Sequence, residues 1–375
     1  MRLDAVCDII MGQAPAGDEY NDKGEGLPLL AGAGDFKSGR PVAKKFTRVV
    51  TKQCVEGDLV IGIRASIGDM VVADRPYCLG RGVAVIRPKA KEVVPRYLWH
   101  WMASVRPALE QKAKGATFKQ VNRADIGELR LSVPTRQEQL RIAAILDQAE
   151  ELRAKRRAAI ALLDKLPQAL FLKMFGDPVS NPMCWNTKTV DSLCKLVRGS
   201  SPRPQGDSRY FGGPVPRLMI ADITRDGLNV TPRIDSLTLE GAKKSRPVPA
   251  GTVAMAVSGN IGLVSKLTVD ACIHDGFVAF TELDDGSVSA DFLLHYLNSA
   301  KALHDRNMAG AIFINIKTDD IKALQILVPH LSLQNEFLKR VSALASVRTT
   351  HQMAVDEADA LIASLQDGAF GNGGI

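Results

Sequence analysis

Hydrophobic positions divide the chain into short apolar runs and long periodic stripes. Residues 57–63 and 70–73 are short runs on either side of a Ser-Ile-Gly turn, a pattern typical of paired strands. Over 97–111, apolar residues recur every three or four positions, which predicts a helix with one buried face. A helix start at 125, followed by a strand that ends before Pro134, completes a region that we expect to be mixed α/β.

A longer stripe follows this region. Residues 137–166 contain no glycine or proline, and apolar side chains again recur every three or four positions, which predicts one long helix suited to pairing with another. Pro167 has no N–H and crowds the preceding turn, so we expect a kink or break near Leu166. Positions 195 residues further on carry a similar stripe, from Phe337 to Leu365, and predict a second long helix.

The two stripes belong to an internal repeat that covers most of the chain. Equivalent motifs recur in the same order at spacings of 187 to 195 residues. The matched pairs include Gly12 with Gly199, Gly57 with Gly251, Gly68 with Gly262, Cys78 with Cys272, Gly82 with Gly276, Gly115 with Gly310, Asp125 with Asp320, Pro134 with Pro329 and Phe175 with Phe370. Solenoid repeats have periods of about 20 to 50 residues, so this much longer period indicates two copies of a whole domain.

The repeat and the helices together predict an α+β fold. The first helix leads away from the first globular part and the second helix starts at the second, so helices that pack together must run antiparallel. We expect two homologous mixed α/β domains separated by two long helices packed as an antiparallel coiled coil, a pseudo-two-fold dumbbell. The predicted boundaries are 1–135 and 179–330 for the domains, and 136–178 and 331–375 for the helical spacers.

Composition narrows the class of protein. The 375 residues are 46% hydrophobic and 24% charged, which excludes a disordered chain. A net charge of +7 permits nucleic-acid binding without demanding it. Residues 1–10 predict a strand rather than a signal peptide, and the longest uncharged run, 248–265, is broken by proline and glycine. We therefore expect a cytoplasmic protein with no membrane partner.

Cysteine and histidine positions argue against a metal site. None of the six cysteines forms a Cys-x-x-Cys pair, so no zinc site is predicted. Cysteines recur at equivalent places in the two copies, as do His100 and His295, and we expect these side chains to pack in the core or against helices. No methyltransferase, nucleotide-binding or hydrolase motif is complete, so the chain is predicted not to be an enzyme.

Two related basic modules on a rigid spacer suit a long, regular polymer such as duplex DNA. A helix of 30 residues spans roughly 45 Å at about 1.5 Å per residue. That length corresponds to on the order of a dozen base pairs. Because the copies differ in sequence, each should read a different half of a split target.

Ordered motifs in both copies resemble those of type I restriction-modification specificity subunits. These motifs are Gly-x-Ala/Ser-Pro near the start of each copy, the Ala-Ser-Ile-Gly or Gly-Asn-Ile-Gly turn, Gly-Ala-Thr-Phe-Lys-Gln-Val, and Val133-Pro134 before the Gln137-Glu138-Gln139 run. In the second copy, residues 329–336 depart from that run. The resemblance implies that the two domains are target-recognition domains, each followed by a helical spacer, and that they read a bipartite double-stranded DNA target. It also implies two methyltransferase subunits that bind S-adenosylmethionine, and restriction-translocase subunits in the full complex. This chain would bind no cofactor itself.

Turn and loop residues with paired donors and acceptors are the candidates for reading bases, and cations are candidates for contacting phosphates. These positions differ between the copies while the flanking glycines agree, although any exposed loop also diverges. The DNA-binding candidates of the first copy are Arg64, Ser66, Arg81, Thr117, Lys119, Gln120 and Asn122. Those of the second copy are Arg203, Ser258, Asn260, His274, Asn315 and Lys317.

Other interpretations remain open at this level. Each candidate residue could instead belong to a solvated face. The basic run 153–157 could face the DNA gap or a partner, or form a solvated helix face stabilised by Glu150 and Glu151. A coiled-coil adaptor protein, or a specificity factor of another phage-defence system, would share the same architecture.

Overall fold

A computed structural model of the chain describes residues 1–37, 39–89, 92–115, 119–307 and 317–371, with the backbone alone over 302–307. The chain forms two compact units. Unit 1 contains Met1–Ala158 and Gln352–Ile375, and unit 2 contains Ala159–His351. Each unit therefore combines one globular module with parts of two long helices.

The module of unit 1 consists of short strands and helices. The strands are β1 (Cys7–Met11), β2 (Tyr20–Asn21), β3 (Leu27–Leu30), β4 (Phe36–Lys37), β5 (Arg40–Pro41), β6 (Lys45–Thr47), β7 (Gln53–Cys54), β8 (Leu59–Gly62), β9 (Met70–Val72), β10 (Tyr77–Leu79) and β11 (Val83–Pro88). The helices are α1 (Leu3–Val6), α2 (Pro95–Ser104), α3 (Arg106–Gln111), α4 (Arg123–Gly127) and the long α5 (Arg136–Leu163).

Two sheets and a helical layer form the core of this module. One sheet has the order β1-β11-β8-β9 and the other β2-β6-β3-β10-β7. Because side chains alternate across a strand, β8 is buried on both faces. Leu59 and Ile61 pack in the core with the helices, whereas Val60 packs in the core with the second sheet. The four-stranded sheet is thus the middle layer of the module.

Unit 2 repeats this layering. Its strands are β12 (Thr187–Thr189), β13 (Lys195–Arg198), β14 (Phe211–Leu218), β15 (Asn229–Val230), β16 (Asp235–Leu237), β17 (Arg246–Val248), β18 (Val253–Ala256), β19 (Val264–Leu267), β20 (Ala271–Ile273), β21 (Phe277–Thr281) and β22 (Gln325–Leu327). Its helices are α6 (Leu166–Phe175), α7 (Val190–Leu193), α8 (Ile220–Asp226), α9 (Leu239–Lys244), α10 (Ala290–Asn307) and α11 (Thr318–Lys322), followed by the long α12 (Leu331–Phe370).

Sheet topology confirms the duplication that the sequence motifs predict. In unit 2 the sheets have the orders β13-β21-β18-β19-β15 and β16-β14-β20-β17, with β12 and β22 forming a separate pair. Met255 of β18 packs in the core with the helices, whereas Ala254 packs in the core with the β16-β14-β20-β17 sheet. The side chains of β18 therefore alternate in the same way as those of β8. The pairing of β3 with β10 is parallel, and so is the pairing of β14 with β20. Both modules are therefore built on one scaffold.

The long helices pair antiparallel within each unit. In unit 1, Arg153 and Arg157 of α5 form ion pairs with Asp359 of α12, at 2.8 and 2.9 Å. Phe370, near the end of α12, packs edge-on against Tyr97. In unit 2, α6 follows α5 after the break and packs against the start of α12. The ring of Phe171 in α6 lies 5.6 Å from the ring of Phe337 in α12. Two cations of the basic run are therefore paired with a carboxylate across the helices.

Several local predictions need correction. The helix predicted over 97–111 is two helices, because Pro107 has no N–H and crowds the turn before it. Residues 1–10 are not one strand, since α1 precedes β1. The strand expected before Pro134 is reduced to an isolated bridge between Arg2 and Arg130. The break expected at Pro167 is confirmed, because α5 ends at Leu163 and α6 begins at Leu166.

Buried thiols and helix histidines occupy the packing roles that the repeat predicts. Five of the six cysteines are buried and Cys184 is exposed. His100 is fully buried, and the His295 ring packs edge-on against the ring of Phe337 at 5.3 Å.

None of the helices in the part of the chain that the structure describes has an apolar stretch of the length needed to span a bilayer.

Candidate functional site

Two turns of unit 1 meet in a cleft of 530 Å³. One is residues 64–66, between β8 and β9, and the other is residues 80–82, between β10 and β11; together they define the first turn cleft. The backbone N–H of Ile63 donates to the carbonyl oxygen of Gly82 at 2.9 Å and locks the turns together. A Cβ atom on Gly82 would lie 2.4 Å from the carbonyl oxygen of Ala31, so only glycine permits this approach.

Four of the predicted DNA-binding side chains come together at this cleft. Arg64, Ser66 and Arg81 are exposed and line it. Arg64 Nε donates to Gln120 Oε1 at 3.1 Å, which brings the loop at 120 beside the turn. The cleft therefore presents two guanidinium groups, an amide and a hydroxyl among small residues.

Two other candidates begin short helices. Asn122 accepts hydrogen bonds from the backbone N–H groups of Ala124 and Asp125, at 2.8 and 3.0 Å, and so caps α4. The backbone N–H of Lys317, which precedes α11, donates to Asp320 at 3.0 Å. The side-chain oxygen of Asn122 is thus already used. Of the remaining candidates, Lys119 is exposed, and Thr117 and Asn315 lie outside the described residues.

Unit 2 has the same pair of turns, residues 258–260 and 274–276, which we name the second turn site. The backbone N–H of Val257 donates to the carbonyl oxygen of Gly276 at 2.8 Å, as Ile63 does to Gly82. Ser258 and Asn260 are exposed. The His274 ring is largely buried, and its Nδ1 accepts from the N–H of Gly276 at 2.9 Å. Burial lowers the pKa of His274, so this imidazole is neutral near pH 7.

A polar network lies beside His274 at the second turn site. Arg217, which is 5% exposed, pairs with Asp235 at 2.6 Å and donates to Ser201 Oγ at 2.9 Å. Ser201 in turn donates to Asp275 Oδ1 at 2.6 Å. The predicted candidate Arg203 reaches the other oxygen of Asp275 at 3.3 Å. The hydrogen bond from Ser201 holds the pKa of Asp275 below its usual value.

Sequence analysis missed Arg217 and Asp275. The network joins residues that are far apart in the chain, so no local pattern could indicate Arg217. Asp275 was accessible through the repeat, because the alignment that matches Gly82 with Gly276 places Asp275 opposite Arg81.

A buried glutamine attaches each module to its long helix. Gln139 accepts from the N–H of Val94 at 2.8 Å and donates to the carbonyl oxygens of Glu92 and Pro134, at 2.8 and 2.9 Å. Gln334 makes the equivalent bonds with Ser289 N, Ser287 O and Pro329 O, at 3.1, 2.8 and 2.9 Å. The second copy therefore keeps the anchoring glutamine although its surrounding run differs.

One group of three potential metal ligands exists among the described residues, namely His100, Asp147 and Glu150. His100 Nε2 lies 2.8 Å from Asp147 Oδ1. The Arg96 guanidinium contacts Asp147 at 2.5 Å and Glu150 at 3.3 Å. Because the arginine already balances the carboxylates, we interpret the group as an ion-pair network that joins α2 to α5.

Comparisons with known proteins agree with this duplicated architecture. The family model for the type I restriction modification DNA specificity domain matches residues 1–162 and 182–354. A Methanocaldococcus jannaschii protein designated the type I restriction enzyme MjaX specificity subunit is 32% identical over 144 residues, which are 38% of this chain. The match covers 34% of the length of that curated relative.

Two solved structures share the fold over nearly the whole chain. One, described for complex assembly and conformational transition of the type I R-M system, has a TM-score of 0.69 and 19% identity, and the match covers 99% of this chain and 96% of that one. The other, a type I restriction-modification S subunit from M. genitalium, has a TM-score of 0.53 and 15% identity, with 99% and 95% covered. At these identities the likeness shows a common fold.

Proposed function

The chain belongs to the type I restriction modification DNA specificity family, and from that premise we propose that it is a DNA-sequence-reading subunit. The observation that carries the proposal is the same pair of locked turns in both modules, with exposed hydrogen-bonding side chains that differ between them. One scaffold with two sets of side chains suits two different DNA half-sites.

The first turn cleft has the chemistry that duplex recognition requires. Arg64 and Arg81 are exposed cations that can pair with phosphates or with the guanine edge in the major groove. Gln120 adds a donor and an acceptor, the combination that recognises adenine. Glycine and alanine around these side chains leave room for a nucleic-acid backbone to approach closely.

The proposal assigns the chemistry of modification to partner subunits. This chain would be non-catalytic and would position two methyltransferase subunits, which bind S-adenosylmethionine, and restriction subunits in the full complex. Its relatives are named as specificity subunits, and one structural neighbour is described in terms of complex assembly, which supports this division of labour.

Selection from a random duplex library tests the proposal. The chain, reconstituted with its methyltransferase partner, should enrich duplexes that share two short sequence elements separated by a gap. The partner alone should enrich none. If the complex binds DNA without sequence preference, the sequence-reading function is wrong and an adaptor role is favoured.

A further inference from the structure

We propose that the position shared by Arg81 and Asp275 reads a base edge, with Arg81 recognising a guanine and Asp275 a cytosine. The inference rests on the proposed function, because it names what one position of each turn pair recognises. It assigns opposite hydrogen-bonding roles to equivalent positions of the two modules.

Backbone hydrogen bonds establish that the two positions are equivalent. Arg81 lies between β10 and β11, and Asp275 lies between β20 and β21. In unit 1 the N–H of Val83 donates to the carbonyl of Gly80, and in unit 2 that of Phe277 donates to the carbonyl of His274. The strands that precede the two turns, β10 and β20, each pair in parallel with an inner strand of their sheet. In each module this turn also accepts a backbone hydrogen bond from the residue that precedes the neighbouring turn. The two side chains therefore leave the same point of the same scaffold.

The reversal of charge at this point excludes a shared phosphate contact. A guanidinium is attracted to a phosphate, whereas a carboxylate is repelled by it. If both modules present the same face to a duplex, a position that holds arginine in one and aspartate in the other cannot serve the backbone in both. Base edges offer both acceptors and donors in the major groove, so they suit either residue.

Arg81 is available for this contact. It is exposed at the first turn cleft. No hydrogen bond or ion pair ties it to another residue in the part of the chain that the structure describes, whereas Arg64 is held by Gln120 at 3.1 Å. A guanidinium can donate two parallel hydrogen bonds to O6 and N7 of guanine, the most common specific arginine contact with DNA.

Asp275 is held as an oriented acceptor. Ser201 and Arg203 each donate to one carboxylate oxygen, at 2.6 and 3.3 Å, while 54% of the side chain stays exposed. Each oxygen has two lone pairs, so capacity remains for another donor. Its lowered pKa keeps it ionised at neutral pH, when it can only accept. The exocyclic amino group of cytosine is the donor that fits an acceptor of this kind.

Library selection with the reconstituted methyltransferase complex provides the test. Arg81→Ala should relax the preference for guanine at one position of one half-site by about 5- to 150-fold, with the other positions unchanged. Asp275→Ala should do the same for a cytosine in the other half-site. Arg75→Ala is the control variant. Arg75 is an exposed arginine that precedes β10, whereas Arg81 follows the same strand, so this change should leave the selected motif intact.

A change of specificity provides a readout that misfolding cannot imitate. Asp275→Asn keeps an acceptor for Ser201 and adds a donor, so the preference should move from cytosine toward adenine. A uniform loss of affinity with every base preference retained would overturn the inference, and so would an unchanged motif. If the wild-type complex selects no motif at all, the proposed function itself fails, which is a separate result.

Discussion

Replacing Gln139 by leucine tests how the first module is fixed to its long helix. The glutamine side chain is fully buried and bonds the N–H of Val94 and the carbonyls of Glu92 and Pro134. Leucine has a similar volume but no polar atoms. The substitution therefore removes these bonds and preserves most of the packing.

The expected cost follows from the groups that are left without partners. A buried N–H that loses its acceptor costs about 1–3 kcal/mol, and Val94 is 5% exposed. The two carbonyls lie closer to solvent and lose about 0.5–1.5 kcal/mol each. Allowing for the apolar gain of leucine, we expect a loss of about 2–5 kcal/mol.

Hydrogen-exchange mass spectrometry measures this loss in unit 1 alone. The slowest amides of α2 and β11 should exchange roughly 30-fold faster or more, since about 1.4 kcal/mol corresponds to a factor of ten. Gln137→Leu is the matched control, because Gln137 is exposed on the same turn of α5. In unit 2, Gln334→Leu should behave likewise, with the exposed Asn335 as its control position. Equal exchange in Gln139→Leu and Gln137→Leu would refute the anchoring role.

Three further outcomes are expected. Phe171→Ala should lower the stability of unit 2 by about 3–5 kcal/mol, measured by hydrogen exchange, because the ring is fully buried among other aromatic rings, whereas Leu162→Ala at an exposed site should change it by less than about 0.5 kcal/mol. Burial lowers the pKa of His295, so unit 2 should be most stable above pH 6.5 and lose stability as the pH falls below it, where the unfolded chain binds more protons. His295→Leu should make that pH profile shallower, leaving the part that comes from the buried His274 of the same unit, and an unchanged profile would contradict the assignment. Maleimide at pH 8 should label Cys184 first, because burial raises the pKa of a thiol such as Cys54 to about 11, and Cys184→Ser should remove the fast phase.

The sequence predicted the duplication and the helix break well, for physical reasons. Glycines at close backbone approaches, such as Gly12 and Gly199, must recur wherever the scaffold recurs. Pro167 interrupts a helix through its own covalent structure. The break at Pro107 was missed because the apolar stripe continues across it, and periodicity does not register a missing N–H.

The candidate site was predictable only in part. Arg64 and Arg81 were found because cations in turns between buried strands stand out locally. The buried network around Arg217 was not predicted, because it joins strand and loop residues that only the fold brings together. Gln139 was noted only as part of the family motif, and the equivalent Gln334 lies in the segment that departs from that motif, so neither glutamine was predicted as an anchor.

Sequencing of DNA methylation in cells that express this chain with its methyltransferase partner tests the central claim most directly. The account predicts modified bases within two short sequence elements separated by a constant gap, and loss of that modification when the chain is omitted. Modification that persists without the chain, or that follows a single uninterrupted element, would contradict it.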